Sequence, residues 1–149
     1  MLSQKAKYGL KALLYLVEHH ERGGVSIGEI AREQKIPRKF LDVILLELKK
    51  QGFLDSRMGK NGGYWLDRPA TAITIGAILR TLDGPLAPIP CASRTAYKPC
   101  PDCADVETCP IRRAMLEARD AMASVLDGMT LAQMAGDGGA TLEALIYNI

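Results

Sequence analysis

Along the first half of the chain, apolar residues recur at helical three- and four-residue spacings, then give way to short strand-like runs. Leu10, Leu13, Leu14 and Val17 predict one buried face of a helix capped by Ser3 and running to about His20, with a break at Glu21 to Gly24. Ser26-Ile-Gly-Glu29 has the form of a capping box and predicts a short helix from Ile27 to about Gln34, placing Ile30 and Ala31 in the core. Ile36-Pro37 opens a third helix that runs to Gln51 and stops at Gly52. On that helix Phe40, Leu41, Ile44, Leu45 and Leu48 share one side. Arg38, Lys39, Asp42, Lys49 and Lys50 gather on the other, together with Leu46. Phe53 to Met58 and Tyr64 to Asp67 read as strands joined by the turn Gly59-Lys-Asn-Gly-Gly63, and Thr74 caps a fourth helix from Ile75 to Leu82.

After a proline-rich stretch that begins at Pro85, Pro110 starts a long helix to about Asp127. Its apolar residues Ile111, Met115, Ala118, Met122, Val125 and Met129 step 4-3-4-3-4, the stripe of a helix that packs on another helix. Such a stripe either covers the chain's own core or joins two copies. The fold class expected is therefore mainly α: a winged helix-turn-helix domain with a small β-hairpin wing over residues 1–83, then a cysteine-rich loop at 84–109. A long dimerisation helix at 110–129 and a tail with short helical segments at 130–149 complete the chain.

A short helix, a tight turn and a second helix with a basic outer face form the arrangement that lays its second helix in the DNA major groove. Charge distribution agrees with this. Residues 1–68 hold 13 Lys and Arg against 8 Asp and Glu, whereas residues 69–149 hold 6 against 9, although the whole chain is only +2. The expected DNA contacts are Ser26, Arg38, Lys39 and Lys49 on the helices, with Arg57, Gly59, Lys60, Asn61, Gly62 and Gly63 on the wing, where cations meet the backbone or minor groove. The glycine-rich turn opens no helix and lacks the phosphate-loop pattern, which disfavours a nucleotide-binding enzyme. A catalytic site is not expected, because no nucleophile and base stand at a recognisable spacing. The longest wholly apolar run, Ala12 to Val17, is far short of the ~20 residues of a membrane span, and MLSQKAKYGL lacks a secretory pattern, so a cytoplasmic protein with reduced thiols is expected.

All four cysteines lie within nineteen residues, Cys91, Cys100, Cys103 and Cys109, spaced C-x8-C-x2-C-x5-C. In a reducing compartment this clustering points to metal ligation or thiol chemistry. Four thiolates suit an iron-sulfur cluster of the two-iron or four-iron type, or a tetrahedral zinc; a thiol-disulfide switch is a further alternative. Prolines 90, 99, 101 and 110 stiffen the loop and lower the entropy lost when a metal gathers its thiols. His19 and His20 are expected at the surface. Two other classes fit the loop alone, a small iron-sulfur electron-transfer protein and a zinc-stabilised interaction module, and neither needs a basic helix face.

The ordered series Tyr8-Gly-Leu-Lys-Ala-Leu, Ile27-Gly-Glu-Ile-Ala-Arg, Ile36-Pro-Arg-Lys-Phe-Leu, Leu45-Leu-Glu-Leu-Lys-Lys-Gln-Gly, Gly59-Lys-Asn-Gly-Gly-Tyr, Ile73-Thr-Ile-Gly, Asp83-Gly-Pro-Leu and Met129-Thr-Leu resembles the Rrf-two family of bacterial winged-helix repressors over nearly the whole chain. The resemblance implies a homodimeric transcription factor on a palindromic double-stranded operator, with no small-molecule substrate. Arg38, Lys39 and Lys49 would face the major groove and the turn from Arg57 to Gly63 the minor groove. It also implies sensing of cluster state, iron supply, oxygen or nitric oxide, with Cys91, Cys103 and Cys109 in the region where cluster-bearing members place their ligands. Three departures stand out. The loop is longer and has a fourth cysteine, Cys100; the places where relatives supply a histidine or acidic ligand hold Arg112 and Tyr8; and the wing arginine of many relatives falls at Met58, with Arg57 one place early.

Overall fold

The computed structural model describes residues 2–137, so the expected tail is seen only to Asp137. Helix α1 spans Gln4–Glu18, and the Ser3 hydroxyl caps it by accepting from the Ala6 N–H at 3.0 Å. Helices α2 (Ile27–Gln34) and α3 (Arg38–Lys50) follow, then strands β1 (Leu54–Arg57) and β2 (Gly63–Leu66), α4 (Ile75–Asp83) and the long α5 (Pro110–Gly128). The strands pair antiparallel, Leu54 opposite Leu66 and Arg57 opposite Gly63. Val25 adds a bridge on the far side of β2, exchanging backbone bonds with Tyr64 at 2.9 and 2.8 Å. This ties the hairpin to the segment that leads into α2.

Helix α1 packs on both α3 and α4, with Leu13, Ile30, Leu41, Ile44, Leu45, Leu48, Ile75 and Ile78 closed off from solvent between them. The buried face of α1 differs from the expected one. Ala6, Gly9, Ala12, Leu13, Tyr15 and Leu16 are buried, whereas Leu10, Leu14 and Val17 are half-buried. The small side chains let α4 approach closely, since any Cβ at Gly9 would collide with Leu82. Close approach, more than apolar size, chose the face. On α3, Leu41, Ile44, Leu45 and Leu48 are buried as expected, but Phe40 is 62% exposed because it stands at the edge of the packed side. His19 corrects another expectation: its ring is half-buried and stacks on Tyr15 at 4.0 Å, while His20 is exposed.

Helix α5 presents two adjacent faces. Ala123 is buried and Leu116, Arg119 and Leu126 are half-buried toward the body, while Asp127 receives both guanidinium nitrogens of Arg80 on α4 at 2.6 and 2.8 Å. One residue away, the expected stripe stands largely outside: Ile111 is 66% exposed, Val125 53% and Met122 38%, with Ala118 exposed and Met115 half-buried. Met129 departs from that stripe. It is the C-cap of α5, packs against the core, and its carbonyl accepts from Ile75 N–H at 2.9 Å. Leu131 is fully buried and bonds to Ile73, so the chain after α5 returns to the winged-helix body.

Candidate nucleic-acid interface and cysteine pocket

The turn between α2 and α3 is made by Lys35 in the left-handed region (φ 53°) and buried Ile36, after which Pro37 stands one place outside α3 as its N-cap and not in the first helical turn expected of it. The expected capping box is half formed. Ser26 is exposed and accepts from Glu29 N–H at 3.2 Å, but the Glu29 carboxylate turns away to accept from Tyr15 Oη at 2.7 Å and from both Arg22 nitrogens at 2.7 and 3.1 Å. Those bonds, the Arg22 guanidinium first, hold the Glu29 carboxyl below its ordinary range and lock α2 onto α1.

With the start of α2 held in this way, α3 turns Arg38, Lys39, Val43, Leu46 and Lys50 to solvent. Lys49 is placed otherwise: it is half-buried, donates to Ser56 Oγ at 2.7 Å and lies 3.8 Å from Asp55, fastening α3 to the wing. At the wing tip Arg57, Met58, Gly59, Lys60 and Asn61 are exposed, with Met58 96% accessible. Gly62 and Gly63 are half-buried instead of lying on the outer surface. Gly62 sits against the Arg57 carbonyl, and at Gly63 (φ 135°) a Cβ would stand 2.5 Å from the Val25 carbonyl, so both shape the turn.

All four cysteines line one cavity of about 170 Å³, which they share with Ile89, Asp102, Val106, Ile111 and Arg112. Cys91 is buried in a short turn (Pro90–Ala92), and its carbonyl accepts from Arg112 Nε at 3.0 Å. Cys109 caps α5, its Sγ accepting from Arg112 N–H at 3.5 Å. Cys103 is half-buried; lost hydration pushes its thiol up, and the charge of nearby Cys109 adds to this. Cys100 is exposed and donates to Asp102 Oδ1 at 2.7 Å, which raises the thiol and lowers the carboxyl. The cysteines are free thiols, and among the described residues no three His, Cys, Asp or Glu side chains stand close enough together to hold a metal ion. They do supply the soft donors a cluster needs, facing one partly apolar cavity beside a guanidinium. Of the two places where relatives have other ligands, Arg112 lines this cavity and Tyr8 is half-buried against the core.

The family model Rrf2, described as an iron-dependent transcriptional regulator, matches residues 2–137. The chain belongs to this family. It is 40% identical over 148 residues to the HTH-type transcriptional regulator rrf2-like of Rhodobacter capsulatus, covering 97% of this chain and 99% of that one. It is 30% identical over 148 residues to the HTH-type transcriptional regulator CymR of Bacillus subtilis, covering 99% of each. Among solved structures, CymR, the global cysteine regulator of B. subtilis, superimposes with a TM-score of 0.74 at 30% identity, covering 91% of this chain and 95% of that one. IscR of T. potens gives 0.73 at 28% identity, covering 95% and 90%. This Rrf2 member is thus a DNA-binding transcriptional regulator and not an enzyme. Among its described residues no helix is long and apolar enough to cross a membrane.

Proposed function

We propose that this Rrf2 regulator acts as a cytoplasmic homodimer on a palindromic operator, probing the major groove with α3 and the adjoining backbone or minor groove with the wing. Arg38 and Lys39, at the exposed start of α3, and Arg57, Lys60 and Asn61, at the wing tip, meet the DNA. The largely exposed α5 stripe of Ile111, Met115, Ala118, Met122 and Val125 forms the two-fold interface. Replacing Arg38 and Lys39 with Ala is expected to weaken DNA binding and to flatten its salt dependence by about one unit of slope for each phosphate no longer neutralised. An unchanged affinity would overturn the placement of α3.

We further infer that Cys91, Cys100, Cys103 and Cys109 hold an iron-sulfur cluster. The observation that carries this is that all four line one cavity formed by the cysteine loop itself and the start of α5. Such a cluster, when bound, supplies sensitivity to iron supply, oxygen or nitric oxide. The chain's own part is mechanical: Arg112 touches Cys91 and Cys109, and Arg94 pairs with Asp120 at 2.7 Å, so drawing the four sulfurs together pulls on α5 and resets the spacing of two recognition helices. Anaerobic purification followed by iron, sulfide and zinc analysis tests the reading. Iron with matching sulfide supports it; zinc alone would make the loop a zinc site, and metal-free protein whose DNA affinity follows thiol oxidation would make it a thiol switch. Cys103→Ala is expected to abolish metal-dependent changes in DNA affinity, and unchanged regulation in that variant would overturn the sensor.

A further inference from the structure

Helix α3 turns a row of mixed chemistry outward. At about 100° per residue, Lys39, Val43, Leu46 and Lys50 fall within about 30° of the direction opposite the buried Leu41, Ile44, Leu45 and Leu48. Val43 is 53% exposed and Leu46 49%, and Lys39 and Lys50 have no ion-pair partner among the described residues. Two aliphatic side chains at the centre of a solvent face, with a cation above and below, are a poor design for water. They are a poor design for phosphate too, since neither can donate a hydrogen bond. Asp42, the exposed carboxylate beside the row, repels phosphate outright and can only accept, so the centre of this face is built to meet base edges.

In the major groove, the apolar feature of an unmodified base pair is the 5-methyl group of thymine. We infer that Val43 and Leu46 read thymine methyl groups, while Lys39 and Lys50 hold the ends of α3 to the flanking phosphates. The inference rests on the proposed placement of α3 in the major groove, and it makes each half-site carry thymine where the middle of α3 lies. Charge complementarity commits the row to DNA: a second copy of this chain would bring two more lysines against Lys39 and Lys50.

Duplexes retained by the intact protein from a random-sequence pool provide the probe, rebuilt with deoxyuridine in place of each thymine in turn. Uracil keeps the pairing edge and removes only the methyl. Affinity is expected to fall about fourfold at one or two thymines in each half-site, the effect of one methyl group no longer buried. Val43→Ala or Leu46→Ala is expected to bind the thymine and uracil forms alike at the matching position. Because both side chains are exposed, the variants should keep the helical circular dichroism of the parent. Equal affinity for thymine and uracil at every position, with binding intact, overturns the inference and leaves the proposed function standing. If Val43→Ala or Leu46→Ala changes the sedimentation of the DNA-free protein, the row is a protein interface and the inference also falls. Failure to retain any duplex, or retention indifferent to loss of Arg38 and Lys39, overturns the proposed function itself.

Discussion

Between Ser3 and Asp83 the chain closes eleven large side chains fully away from water, and Ser3, Ser26 and Thr74 each cap a helix with a hydroxyl. From Pro85 to Cys109, by contrast, the only buried residues are Cys91, Ala92 and Ser93. This segment is held to α5 mainly by polar bonds, Arg94 to Asp120 and Arg112 to Cys91 and Cys109. Burial of apolar surface makes the first region self-sufficient, whereas the second has room to rearrange at little cost to the whole. Under the proposed function that division suits a regulator, its reading head staying rigid while the cysteine loop responds.

The sharpest way to break the contrast is a cavity in the first region. Ile44→Ala, at a fully enclosed site against α1, is expected to cost about 2 to 5 kcal/mol in chemical denaturation. Gly63→Ala comes next, at about 2 to 3 kcal/mol, because the residue has positive φ and its new Cβ would press on Val25. This variant should also lose DNA affinity, as the wing parts from the α2 entry. Arg80→Ala removes the pair between α4 and α5; with both partners over or near one-third exposed, the loss should be about 0.5 to 1 kcal/mol. In metal-free protein Cys103→Ala should alter global stability by no more than about 0.5 kcal/mol, and a larger loss would show that the segment is part of the cooperative core.

The subtlest test is acid. Asp120 is held at about 2, by Arg94 first and then Arg119. A carboxyl depressed in the folded state adds its stability above the unfolded value near 4 and loses it as pH falls toward 2. The Arg94 anchor should therefore release over that window, read as a low carboxyl titration of Asp120 by NMR with faster amide exchange around Arg94. An ordinary titration near 4 would show that the anchor is not formed in solution.

Local chemistry was legible at each place where it needed only neighbours in the chain. Ser3, Ser26 and Thr74 identify helix starts because a hydroxyl there satisfies an otherwise unpaired N–H, and the glycines from 59 to 63 mark a hairpin because Gly59 takes a positive φ and Gly62 and Gly63 have no space for a side chain. The cysteine spacing predicts a shared site; all four cysteines line one cavity, and among the described residues they form no ready-grouped metal-binding set. Positions governed by distant partners were not legible. Lys49 looks like any cation on a basic face until Ser56 claims it, and Met129 continues a heptad until the winged-helix body draws it inward.

By itself, the sequence determined the order of helices and hairpin, the ends of each element to within about two residues and the clustering of the cysteines in one loop, because periodicity, capping and turn preference act over a few residues. Only the tertiary structure decided which side of α1 is buried, that Glu29 binds Arg22 and Tyr15 instead of closing its box, and that α5 keeps one apolar stripe outside while lending the other to the body. Those outcomes depend on how closely two helices can approach and which charges then meet, distances that no single segment of chain contains.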